Sequence, residues 1–98
     1  MATRYLMKLS LDDIEKLQKV AEALANETRL LMLMSLRNHR EISHTELAKL
    51  IDKNPATVSS HMKYFIRAGI LEDVKLKGLR GRIKKVPRFL VDEIVIKL

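Results

Sequence analysis

The feature of this chain that most constrains its fold is a short polar break, Asp52-Lys53-Asn54-Pro55, between two helical patterns. Residues 47–51 before the break carry apolar side chains at the spacing of one helix face. Asn54 fits an N-cap, and Pro55 fits the first helical position, where the missing N–H costs nothing. Gly69 fits the position after a helix, which requires a positive φ. The sequence therefore predicts two short helices joined by a tight turn.

The second of these helices has two chemically different faces. We predict that its apolar face, with Val58, Met62, Phe65 and Ile66, packs on the core. The opposite face and its borders are small, hydroxyl-bearing, aromatic or basic. Small side chains let a helix lie deep in a major groove, where hydroxyls reach base edges and basic groups reach phosphates. The candidate DNA-binding residues of this helix are Ala56, Thr57, Ser59, Ser60, His61, Lys63, Tyr64 and Arg67.

A run of positive charge follows this helix. Residues 75–88 contain seven basic residues and no acidic one, which accounts for the formal net charge of +7 and favours a polyanionic partner. Val74 and Leu76 alternate with charged residues, and Gly78 and Gly81 bracket a turn, so the segment predicts a β-hairpin. A basic hairpin behind a helix pair is typical of DNA-binding modules, although charge runs are often solvated faces. Its candidate DNA-binding residues are Lys75, Lys77, Arg80, Arg82, Lys84 and Lys85.

The remaining segments complete a mainly α fold with a small β-hairpin, an α+β class. Ser10 with Asp13 resembles a capping box that starts a first helix, and Ser43 with Glu46 forms another before the helix pair. Residues 30–36 are apolar on more than one helix face, so we predict a central, buried second helix. The predicted single domain, 1–98, comprises a first helix (11–25), the helix pair (44–69), the hairpin (71–88) and a C-terminal strand (89–98) that is either a third strand or a dimer contact.

Composition and missing motifs exclude several functions. The absence of cysteine excludes disulfides and thiolate metal sites. No apolar run approaches the ~20 residues needed to cross a bilayer, and residues 1–8 lack the apolar stretch of a signal peptide. No nucleophile set, phosphate-cradling loop or paired-carboxylate motif is present. We therefore expect no enzyme activity, no cofactor, no membrane partner and a cytoplasmic, nucleoid-associated location.

Two histidines offer one alternative chemistry. His39 and His44 lie five residues apart, near Glu41 and Glu46, and such side chains can bind zinc or a harder metal. Exposed loop histidines are the simpler interpretation, so we predict no metal site.

Three segments together resemble the ArsR-type winged helix-turn-helix family. They are ALANETRLLMLMSL (23–36), TELAKLI (45–51) and NPATVSSHMKYFIRAGIL (54–71). The LRGRIKK hairpin also resembles the wing of archaeal regulators. The resemblance implies a dimeric repressor that a ligand, often a metal, releases from DNA. The family's metal-sensing thiolates and long C-terminal helix are absent here, so neither a small-molecule nor a metal effector is evident.

These observations predict sequence-specific double-stranded DNA binding by a homodimeric transcriptional regulator, a repressor. The candidate dimer-interface residues are Leu11, Ile14, Leu17, Ile94 and Ile96. Two alternatives remain open. One is an architectural protein that coats DNA with little sequence preference. The other is a protein-interaction module whose basic hairpin docks an acidic partner.

Overall fold

A computed structural model describes residues 5–39 and 41–98. Its elements within these ranges are β1 (Leu6–Ser10), α1 (Ile14–Leu24), α2 (Glu27–Asn38), α3 (His44–Leu50), α4 (Pro55–Ala68), β2 (Leu71–Lys77), a 3₁₀ turn (Leu79–Gly81), β3 (Ile83–Phe89) and β4 (Glu93–Lys97). Strands β2 and β3 form an antiparallel hairpin, and β1 pairs with β4 in a separate parallel sheet. The arrangement confirms the predicted class, mainly α with a small β-hairpin.

Local capping sets both ends of the helix pair, as predicted. The Ser43 hydroxyl accepts the Glu46 N–H at 3.1 Å, and the Glu46 carboxylate accepts the Ser43 N–H at 3.1 Å. The Asn54 side chain accepts the Thr57 N–H at 2.9 Å, and Gly69 ends α4 with φ 74°. Each such cap contributes about 1 kcal/mol. Helix α4 therefore has a well-defined start and end without help from the rest of the fold.

The start of the first helix differs from the prediction. Helix α1 begins at Ile14, and its N-cap is Asp13, whose carboxylate accepts the Lys16 N–H at 3.2 Å. Ser10 instead ends β1, where it lies opposite Lys97. An N-cap must lead directly into its helix, so the predicted Ser10–Asp13 capping box is wrong. The predicted helical position of Leu11 is also wrong, because Leu11 lies in the exposed turn between β1 and α1.

Helix α2 is less buried than the sequence predicted. Among its apolar residues only Met32 and Leu36 are buried, whereas Leu30, Leu31 and Met34 are exposed. Neighbouring elements cover one side of α2, and its other side is left to solvent. The prediction that the whole apolar stretch is core is wrong for the three exposed residues.

The β1–β4 sheet joins the two ends of the described chain. Its register runs from Leu6 opposite Glu93 to Ser10 opposite Lys97. Sequence analysis missed β1 and left the role of the C-terminal segment open; the segment is a strand, but outside the hairpin sheet. Met7 and Leu9 of β1 are buried in the core. The sheet therefore contributes two side chains to the core.

The core is aliphatic, apart from Phe65 at its centre. Its largest fully buried side chains are Phe65, Met32, Leu47, Met62, Leu71, Val20, Val58 and Val86. Burying a side chain of this kind contributes roughly 1.5–3 kcal/mol. Three of them belong to α4, so packing determines which face of α4 points outward. None of the helices within the described ranges combines the length and the apolar character needed to span a bilayer.

Candidate nucleic-acid interface

The outward face of α4 carries most of the residues predicted for DNA contact. Val58, Met62 and Phe65 anchor the helix, and five predicted contact residues are exposed: Ala56, Ser59, Ser60, Lys63 and Arg67. Ile66, predicted to be core, is 47% exposed, so that prediction is wrong. Met62 and Phe65 already fill the interior, and Ile66 lines an open groove beside the start of α1. The outward face is therefore wider and more apolar at its C-terminal end than predicted.

Three hydroxyl groups near the start of α4 have different environments. Thr57 is half-buried, and its hydroxyl donates to the Asn54 side chain at 3.1 Å, which makes it part of the cap. The Ser59 hydroxyl lies 3.0 Å from Nδ1 of His44. Ser60 is exposed, and its side chain makes no hydrogen bond to any residue that the structure describes. Ser60 is therefore the hydroxyl most available to an external ligand.

Arg29 holds α4 against the end of α1. The side chain is only 7% exposed, and its guanidinium donates to the carbonyls of Ala23 at 3.0 Å and Glu22 at 2.8 Å. It also donates to Nδ1 of His61 at 3.1 Å and lies 4.0 Å above the Tyr64 ring centroid. From the sequence alone, Arg29 could be a surface charge or a DNA contact. Its burial and its four partners show instead that it joins two helices.

His61 is partly buried and faces this guanidinium. Burial lowers the pKa of His61 below its usual 6.5, and the positive charges of Arg29 and Lys53 lower it further. Because a guanidinium can only donate, Nδ1 must accept and the ring proton lies on Nε2. His61 and Tyr64, both predicted DNA contacts, are thus partly engaged in the protein interior. Arg67 lies 5.7 Å from the same Tyr64 ring and is itself exposed.

The hairpin concentrates positive charge at facing positions. Lys75 lies directly opposite Lys85, and Lys77 lies opposite Ile83. Like charges at directly opposite positions destabilise a strand pair, so a bound polyanion would relieve this repulsion.

A tight turn forms the tip of the hairpin. The Gly78 N–H donates to the Arg82 carbonyl at 2.6 Å, and Arg80 and Gly81 both have positive φ, 63° and 74°. Both arginines are exposed there. A narrow tip that carries two guanidinium groups fits a groove of negative potential.

Two contacts from the first turn of α3 reach the hairpin. His44 Nε2 lies 2.7 Å from the Asp73 carboxylate on β2, and Lys84 Nζ of β3 lies 3.6 Å from the Glu46 carboxylate. Hydrogen bonds from Ser43 lower the pKa of Glu46, and the nearby charge of Lys84 lowers it further. Sequence analysis missed these contacts because no local pattern relates α3 to the hairpin strands.

The two histidines do not share a site, and the expectation of exposed loop residues is wrong for His44, which begins α3 and has a side chain that is only 12% exposed. His39 Nδ1 lies 3.0 Å from the Ser35 carbonyl, whereas His44 is engaged with Ser59 and Asp73. Within residues 5–39 and 41–98, no three histidine or carboxylate side chains are grouped as metal ligands.

A short helix pair with an outward second helix and a basic hairpin defines the winged helix-turn-helix class. Residues 26–73 match the family model described as bacterial regulatory protein, arsR family. The helix-turn-helix segment is therefore similar to the ArsR family, which confirms the resemblance and supports a role in DNA-binding transcription regulation.

A solved structure supports the fold. It is that of a transcriptional regulator homologue protein from Pyrococcus horikoshii OT3, with a TM-score of 0.61 and 23% sequence identity. The similarity covers 76% of this chain and 75% of that chain. At this identity the likeness shows the shared winged helix-turn-helix fold. A comparison with curated protein sequences found no match.

Proposed function

We propose that this chain binds specific double-stranded DNA sequences as a homodimeric transcriptional repressor. The observation that carries the proposal is the outward face of α4, which presents small and hydroxyl side chains beside a basic hairpin. Residues 1–98 would work as one DNA-binding unit that needs no cofactor. Such a role would place the protein on the nucleoid in the cytoplasm.

Helix α4 would enter the major groove. Ala56, Ser59 and Ser60, exposed in its first half, are short enough for the helix backbone to approach base edges closely. Lys63 and Arg67, one and two turns further on, would contact phosphates. Thr57, His61 and Tyr64 would contribute through the atoms that their internal bonds leave free.

The hairpin would act as the wing. Arg80 and Arg82 at the tip would enter the minor groove or grip the adjacent backbone. Four lysines of its strands would pair with phosphates: Lys75, Lys77, Lys84 and Lys85. Binding would then weaken steeply with salt, because each neutralised phosphate releases counterions.

Dimerisation would use the start of α1 and the β4 strand. Leu11, Ile14 and Ile96 are exposed apolar side chains, and Leu17 and Ile94 are half-buried beside the core. A twofold axis through this surface would set two recognition helices about 34 Å apart, one turn of DNA. Two protomers would then read a pseudo-palindromic site.

The DNA-binding proposal is tested by capture of genomic fragments, followed by Kd measurements on a captured fragment and on a shuffled one. We expect a clear preference for the captured fragment, and Ser60→Ala should lower that preference about fivefold, the value of roughly 1 kcal/mol. Addition of the protein should also reduce transcription from a captured promoter. Failure of the wild-type protein to bind any duplex in dilute buffer would contradict the proposal.

The dimer is tested by sedimentation of Ile14→Glu. We expect this variant to dissociate, because a carboxylate would be buried in the interface without a partner. Leu30→Glu is the matched control, since Leu30 is an exposed apolar residue of α2 outside the proposed interface. Two variants with the same association constant would contradict the proposed interface.

One observation favours a second candidate, an architectural protein that coats DNA. No glutamine, asparagine or arginine lies among residues 56–60 at the start of α4, so the groove-facing side chains discriminate bases weakly. The ratio of affinities for captured and shuffled DNA separates the two functions, and a ratio near one favours coating.

A further inference from the structure

The side chain of His44 lies where α3, α4 and β2 meet. Its Nδ1 is 3.0 Å from the Ser59 hydroxyl on α4, and its Nε2 is 2.7 Å from the Asp73 carboxylate on β2. The His44 side chain is 12% exposed and that of Asp73 is 20% exposed. Ser59, in contrast, is exposed on the outward face of α4. One half-buried imidazole therefore connects the wing to a hydroxyl at the proposed DNA surface.

The chemistry of the three groups determines where the protons lie. A carboxylate can only accept, so the Nε2 atom of His44 carries a hydrogen and donates to Asp73. In the neutral ring Nδ1 has no hydrogen, and the Ser59 hydroxyl must donate to it. In the protonated ring Nδ1 donates, and the Ser59 oxygen accepts. Both states keep both hydrogen bonds, but the Ser59 proton points inward in the first and is released in the second.

We propose that His44 determines whether Ser59 donates or accepts a hydrogen bond at the DNA surface. With neutral His44, Ser59 can only accept from outside, which suits the amino groups of adenine and cytosine. With protonated His44, Ser59 can donate to phosphate oxygens or to the major-groove acceptors of guanine and thymine. Because acceptors predominate on DNA, protonation favours binding. The inference rests on the proposed DNA-binding function of α4.

Other charged groups surround the bridge. The Lys84–Glu46 ion pair joins β3 to α3, and β2 carries Glu72 and Lys75 on either side of Asp73. The remaining charged or titratable groups of the neighbouring helices are Lys49 of α3, Glu27, Arg29 and Arg37 of α2, and His61, Lys63, Tyr64 and Arg67 of α4. The pKa values of Glu46 and His61 are both lowered, which favours an ionised Glu46 and a neutral His61.

The test is DNA affinity from about pH 8 to about pH 5.5 at constant ionic strength. The probe is a captured genomic duplex, or a random duplex if none is preferred. We expect wild-type binding to tighten roughly tenfold across this range, within the limit of one linked proton per protomer. His44→Gln should lose this dependence. Ser59→Ala keeps the charge of His44 but lacks the hydroxyl, so its dependence should be much weaker than that of the wild type.

His39→Gln is the matched control, because His39 is exposed and bonds only to the Ser35 carbonyl of its own helix. It should keep the wild-type dependence. Imidazole ¹⁵N NMR of the free protein adds an independent reading, in which neutral His44 should carry its hydrogen on Nε2.

If the DNA affinities of the wild type and Ser59→Ala change equally with pH, this inference is wrong but the proposed function is unaffected. The same holds if neutral His44 carries its hydrogen on Nδ1. Absence of wild-type DNA binding at every pH would overturn the proposed function and this inference with it. If Ser59→Ala binds at every pH but its affinity no longer changes, the inference is supported.

Discussion

Helix α4 and the wing, the two surfaces proposed to contact DNA, are held in place in different ways. Helix α4 has three fully buried anchors, a cap at each end and the Arg29 contacts across its inner side. The tip of the wing extends into solvent, whereas its base is anchored in the core by Leu71 and Val86 and tied to α3 by His44 and Glu46. A fixed helix suits the reading of base edges, which requires defined geometry, whereas an exposed hairpin tip suits contacts to phosphate that vary along DNA.

The largest effect should come from the anchors of α4. Phe65→Ala should lower the free energy of unfolding by about 3–5 kcal/mol, because Phe65 is fully buried and its removal leaves a cavity. Ile66→Ala is the matched control on the next residue, and its exposure predicts a loss of about 0.5 kcal/mol or less. Urea unfolding measures both. Similar losses in the two variants would show that α4 is not anchored on one face.

The next effect should come from Arg29. Arg29→Met should lower the free energy of unfolding by about 2–3 kcal/mol, because the carbonyls of Glu22 and Ala23 and the His61 ring lose their buried donor. Arg37→Met, at an exposed position on the same helix, should change it by about 0.5 kcal/mol or less. If Arg29→Met unfolds at the same urea concentration as Arg37→Met, Arg29 does not hold α1 and α4 together.

Substitutions in the wing should have the opposite effect to those in α4. They should weaken DNA binding and leave the free energy of unfolding unchanged. The double variant Arg80→Gln/Arg82→Gln should leave unfolding unchanged, since both side chains are exposed. It should weaken DNA binding roughly tenfold or more. The slope of the logarithm of the binding constant against the logarithm of the salt concentration, the salt slope, should fall in magnitude by about one for each phosphate that is no longer neutralised. Lys8→Gln/Lys97→Gln removes the same charge from the β1–β4 sheet and should change the slope less. Equal slopes for the two double variants would argue against a specific role of the wing in binding.

The smallest effect concerns acid stability at His61. Its pKa is lowered in the folded protein, so below the usual value of 6.5 the unfolded chain binds a proton that the folded chain does not. The free energy of unfolding should therefore decrease as the pH falls below the usual histidine pKa. In His61→Gln this decrease should be less steep. Urea unfolding at several pH values measures the difference, with His39→Gln as the control. A steeper fall in His61→Gln than in the wild type would show that the sign is wrong.

Much of the proposed interface was predictable because it depends on short-range chemistry. The Ser43–Glu46 capping box, the Asn54 cap and the Gly69 end each involve groups within a few residues, so the bounds of α3 and α4 followed from the sequence. The hairpin also followed, since its turn glycines and alternating strands are local signals. The predicted core face of α4 wrongly included Ile66 and missed Ala68, which is buried.

Longer-range features were not accessible in the same way. Strand β1 pairs with β4, and the Tyr5 N–H donates to the Asp92 carboxylate, 87 residues away in the sequence. No sequence periodicity predicts either contact. Which side of α2 is exposed depends on the elements that pack against the helix. Its apolar pattern alone therefore predicted too much burial. The positions of Arg29 and His44 have the same origin, because each bonds to elements that are distant in sequence.

The sequence by itself determined where the helix pair begins and ends, which residues α4 carries and the charge of the wing, because capping, turn chemistry and composition act within a few residues. Tertiary structure alone decided that β1 and β4 form a sheet, that Arg29 joins α1 to α4 and that His44 links Ser59 to Asp73. These contacts form only when the packed core brings distant segments within hydrogen-bonding distance.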